Sequence, residues 1–132
     1  MTERPTIAPL LEAVDRYFTL MYDNDVSQFD RVFAPTAQLH GFRDAELRIL
    51  PVRDYRTMLA STASPKSKNA PRLQEILLVD LASSAQAMVK VRVRIDALQY
   101  VDYLAYHCIN RTWLITAKSF HVERRHEPAS TS

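Results

Sequence analysis

The side chains most able to do chemistry in this chain are His40, His107, Asp102, Lys118 and Cys108, and their spacing limits what they can do. The four histidines show no close ligand spacing, so no metal site is expected. Cys108 has only His107 as a neighbour able to activate a thiol, and on a strand that imidazole points to the opposite face. An imidazole can serve as a general base near neutral pH, which makes His40 a candidate, against the blander reading of a histidine at a strand edge. Asp102 and Lys118 each interrupt an otherwise apolar strand pattern. We read Asp102 as pairing with Arg92 or Arg94 across the sheet. Lys118 either holds an anionic group or snorkels to solvent. The Lys90, Arg92 and Arg94 row is read as the solvated or interface side of its strand. No complete acid/base set emerges, and no residue is assigned a catalytic role.

Composition narrows the classes further. A chain of 132 residues with 47% apolar content fits one domain with a real core. Seventeen basic against fifteen acidic residues leave +2, too mixed for a nucleic-acid partner. No apolar run approaches the ~20 residues of a membrane helix, and no signal-peptide core follows the first residues. The lone Cys108 makes no internal disulfide, so a cytoplasmic location is expected. A single glycine, Gly41, leaves no phosphate-cradling loop, so no cofactor is expected. Asn110-Arg111-Thr112 forms a glycosylation sequon that is expected to stay unmodified.

Helical periodicity comes first along the chain. Leu10, Leu11, Val14, Phe18, Met21 and Tyr22 form an apolar stripe over 7–22, with Thr6 as N-cap and Pro9 in the first turn. Asp25 and Gln28 resemble a capping box opening a short second helix that buries Val26, Phe29, Val32 and Phe33 and ends at Pro35. A short strand follows at 37–42. A third helix starts at Pro51 with Val52, Tyr55, Met58 and Leu59 inward, and 61–71 is a loop. The period then changes to two. Strands are expected at 73–81, 88–95, 100–109 and 112–122, so the class is α+β with an antiparallel sheet. Residues 1–123 form the domain and 124–132 a disordered polar tail.

A two-residue turn at Asn110-Arg111 pairs Ile109 with Thr112. One face of this hairpin then carries Val101, Tyr103, Ala105, His107, Leu114, Thr116, Lys118 and Phe120. The other carries Tyr100, Asp102, Leu104, Tyr106, Trp113, Ile115 and Ala117. Both are largely apolar. A sheet covered once should show one polar face, so helices on one side and a homodimer partner on the outer face are expected.

Residues 14–50, with Tyr17-Phe18, Phe33-Ala34-Pro35, Ala37 and the turn from Asp44 to Leu47, resemble the opening of the putative lumazine-binding family. Asp102-Tyr103-Leu104 with Trp113, Ile115, Lys118 and Phe120 is similar to that family's closing hairpin. The resemblance covers roughly 7–122, and Arg111 replaces a glycine usual in the turn. It implies the nuclear-transport-factor-2-like fold: a cone-shaped curved antiparallel sheet wrapped around three N-terminal helices, with an apolar cavity at the wide end. Steroid-isomerase-like relatives in that superfamily place an oxyanion-stabilising tyrosine where Tyr17 stands. Their carboxylate base would fall on Gly41, beside His40, so Tyr17 reads better as a core aromatic with a satisfied hydroxyl.

The expected function is binding of a small, partly apolar ligand without chemistry. The candidate pocket is Tyr17, His40, Tyr55, Tyr103, Lys118 and Phe120, with Lys118 or His40 orienting a polar group. Two alternatives stand beside it. One is a cofactor-independent isomerase or dehydratase, which requires His40 and Tyr17 to face one open cavity. The other is a structural dimer whose cavity is filled by its own side chains.

Overall fold

The computed structural model describes residues 7–127. Helix α1 (Ala8–Asp23) buries Leu10, Val14, Tyr17, Phe18 and Met21 on one stripe. Thr6 lies outside the described residues, and the N-cap position is taken by Ile7. Asn24 stops the helix in a left-handed conformation, its N–H donating to the Leu20 carbonyl at 2.9 Å. The second helix is a 3-10 segment, Val26–Arg31. Asp25 caps it by accepting from the Ser27 N–H, but Gln28 turns to Arg31 instead of closing the reciprocal half of a capping box. Pro35 does not end this helix; it falls inside the first strand, which Phe33 already begins.

Six strands build one curved sheet: β1 (Phe33–Arg43), β2 (Glu46–Pro51), β3 (Gln74–Leu81), β4 (Gln86–Ile95), β5 (Leu98–Ile109) and β6 (Thr112–Arg125). Their order is β2-β1-β6-β5-β4-β3. The sheet is mixed and not wholly antiparallel as expected, because β1 and β6 run parallel. The reversals of the β3–β6 meander return β6 to β1 pointing the same way. Helix α2 (Val52–Ser61) connects the two halves, with Pro51 in extended conformation just before it and not as its first residue. Val89, Val91 and Val93 face the core, as their strict alternation requires. No helix among the described residues is long and apolar enough to cross a membrane.

Strand β2 is absent from the sequence reading. The turn that creates it, Asp44-Ala45, has both residues at positive φ (52° and 65°) and contains no glycine. The β5–β6 turn repeats this device, with Asn110 at 50° and Arg111 at 66°. Asp and Asn tolerate the left-handed region, which lets these tight hairpins close.

That last hairpin starts in the expected register, Ile109 opposite Thr112 through Tyr106 opposite Ile115. Then Ala105 pairs with Ala117, leaving Thr116 as an extra residue. Its hydroxyl lies 2.6 Å from Nδ1 of His107. A β-bulge of this kind inverts the facing of the residues beyond it, here as far as a second extra residue, Glu123. Lys118 and Phe120 therefore leave the face shared with Tyr103 and join that of Asp102 and Leu104; Ala117 goes outward. The strand also outlasts its expected end. Arg124 and Arg125 pair with Gln99 and Leu98, and the His126 N–H donates to the Ala97 carbonyl at 2.7 Å; residues 128–132 of the expected tail lie outside the described residues.

Candidate functional site

A cavity of about 750 Å³ opens between the concave sheet face and α2. Its apolar wall comes from Met21 on α1, Leu39 on β1, Tyr55 and Leu59 on α2, and Tyr100 and Phe120 on the sheet. Lys118 projects into it from β6 while being only 5% exposed.

Behind Lys118 lies a buried polar cluster. Asp102 is fully buried. Tyr17 donates its hydroxyl hydrogen to Asp102 Oδ2 at 2.5 Å, and Lys118 Nζ stands 3.8 Å from the same oxygen. The ammonium sits over the rings of Tyr17 and Tyr55, at 5.1 and 5.0 Å from their centroids. It also donates to Tyr55 Oη at 3.5 Å, while Tyr55 donates to Met21 Sδ at 3.2 Å. Asp102 Oδ1 has no partner among the described residues.

Burial pushes the Asp102 carboxyl above its ordinary value, opposed by Lys118 and by the Tyr17 hydrogen bond. Burial and the neighbouring carboxylate together hold Tyr17 well above the usual phenol range, so it remains a donor. Burial pulls Lys118 down, but Tyr55 and Asp102 outweigh it and the amine stays charged. The cluster is a charge-matched donor set facing an apolar space. Its one buried carboxylate takes both partners on Oδ2 and does not line the cavity, so a molecule held there meets Lys118 and Tyr55 first.

The six residues picked from sequence separate. Tyr55, Lys118 and Phe120 line the cavity. Tyr17 lies one layer behind, bound to Asp102. His40 alternates with the cavity-lining Leu39 and so takes the opposite face, registered between Ile49 and Ser119. It shares no cavity with Tyr17, so the His40/Tyr17 isomerase arrangement has no geometric basis. Tyr103 is 41% exposed on that outer face under Lys90. Asp102 is the residue whose role sequence reasoning misassigned. Arg92 turns outward to Glu123 and Glu75, while Asp102 opposes the inward Val91. Its place in the strand alternation, level with Tyr100 and Leu104, was the available signal. No cluster of potential metal ligands occurs among the described residues.

The family model described as putative lumazine-binding matches residues 5–121, nearly the whole chain. The chain belongs to the putative lumazine-binding family. No curated protein matches it. Solved structures place this member of the putative lumazine-binding family among proteins described as NTF2-like. One from Silicibacter pomeroyi, of unknown function, superposes with TM-score 0.79 at 21% identity, covering 89% of this chain and 95% of that one. Another of unknown function, from Shewanella baltica, gives 0.76 at 15% identity over 88% and 92%. A ketosteroid isomerase-like protein from Erwinia carotovora atroseptica gives 0.67 at 12% identity over 89% and 95%. At such identities the likeness is one of fold.

Proposed function

We propose that this protein binds a small, partly apolar molecule in the sheet–α2 cavity and does not transform it, within a sheet that closes as a cone around the helices. The observation that carries the reading is Lys118: a buried ammonium, already charge-matched by Asp102, facing a 750 Å³ apolar space. Such a group orients a ligand acceptor at little further desolvation cost. Tyr55 can join it by exchanging its weak sulfur acceptor for a ligand oxygen. The size of the space favours binding over a module filled by its own side chains. Native mass spectrometry of freshly purified protein is expected to show a retained small molecule. Apo mass alone, together with no thermal shift across a panel of small aromatic and aliphatic compounds, would overturn the proposal.

We also infer that the outer sheet face pairs with a second copy of the chain. Phe42 and Leu47 lie opposite each other on that face, 66% and 54% exposed, and Tyr103 is exposed on it two strands away, beyond Ser119 of β6. The isologous contact of a twofold dimer would cover this surface.

A further inference from the structure

We infer that the ligand is an organic anion, an apolar body whose charged group sits at the cavity rim against Arg43 and Arg125; this rests on the binding reading above. The cavity wall carries four cations, Arg43, Arg48, Lys118 and Arg125, against one carboxylate, Asp96. Most of these charges are already matched. Lys118 faces Asp102, Arg48 pairs with Glu46 at 3.3 Å, and Asp96 pairs with Lys68 at 2.8 Å. Among the described residues Arg43 and Arg125 have no carboxylate partner. They border one stretch of rim: Arg43 donates to Tyr100 Oη at 3.2 Å, and Arg125 is registered opposite Leu98. The tyrosine hydroxyl holds the Arg43 guanidinium without neutralising it, leaving donors for a carboxylate or sulfonate. Low-dielectric walls beneath concentrate the field of the two groups at the opening. The inner end of the ligand meets Lys118 and Tyr55 and needs only a neutral acceptor, because that lysine has its counter-ion.

Two fluorescent probes with the same arylamine frame test this: anilinonaphthalene sulfonate, which is anionic, and phenylnaphthylamine, which is neutral. The sulfonate is expected to bind about tenfold tighter at low ionic strength, a preference that shrinks as salt is added. Arg43→Gln with Arg125→Gln should erase that preference and leave the neutral probe unaffected. A control losing the same charge away from the cavity, Arg111→Gln with Arg124→Gln, should keep it. All four arginines are exposed, so folding should survive each change. Equal affinity for the two probes, or equal loss in the control, overturns the anion assignment and leaves the binding reading standing. Failure of both probes to bind overturns both.

Discussion

The ring of Phe120 lies across Gly41, in the space where any other residue would carry its Cβ. The two are registered partners on the parallel β1–β6 junction. Gly41 has no positive φ, so glycine is required here for room and not for backbone freedom. Gly41→Ala must push the ring aside, and the open side is the cavity that Phe120 lines. The substitution is expected to cost about 1–3 kcal/mol and to weaken probe binding. Chemical denaturation and a binding titration on one preparation check both; unchanged binding would show that Phe120 has another place to go.

Breaking the buried ion pair should be far costlier than removing it whole. Lys118→Met leaves Asp102 buried without its cation and is expected to destabilise by about 3–5 kcal/mol. Adding Asp102→Asn should recover a substantial part of that loss. A double-mutant cycle by urea melts gives the coupling, and strict additivity would mean the two charges do not interact in the folded protein.

Two carboxylates should drive stability in opposite directions with pH. Arg92 and Gln99 hold Glu123 down at about 2, below its ordinary value. Its contribution is present above about pH 4 and is lost as pH falls through about 2, so the gap between wild type and Glu123→Gln should close in acid. Asp102 behaves inversely because burial raises it. Its protonated form favours folding below about pH 4, and that advantage is lost as pH rises through the raised folded value. Relative to Asp102→Asn, wild type should therefore lose ground as pH climbs. Parallel slopes for wild type and either variant would contradict the corresponding assignment.

The outer face offers a check on association. Phe42→Glu changes a residue that is exposed in the protomer, so the folding cost should stay within about 0.5 kcal/mol. Sedimentation at micromolar concentration should show dimers for wild type and monomers for this variant. A monomeric wild type refutes the pairing.

What the sequence disclosed followed from periodicity. The β4 valines and the α1 stripe were legible because burial on one side leaves a repeating mark. Strand β2 was not, since Asp44-Ala45 turns without glycine and Leu47 and Ile49 mark only its outer side. Lys118 and Phe120 were picked for the pocket but set on the face of Tyr103, because alternation counted through Thr116 ignores the extra residue. Asp102 was sent to the wrong partners for a related reason. In sequence the nearest cations to a carboxylate on this strand are Arg92 and Arg94 across the sheet, and only the tertiary arrangement brings Tyr17 and Lys118 to it.

The Thr116 bulge is the one place in this half of the hairpin where a residue can be lost without exchanging the two faces. Deleting one codon there would set Ala117 directly after Ile115 and make the pairing regular, with Lys118 still opposite Leu104 and Phe120 still opposite Asp102, so both stay in the cavity. A one-residue slip elsewhere in the strand would instead exchange the chemistry inside for the chemistry outside in one event.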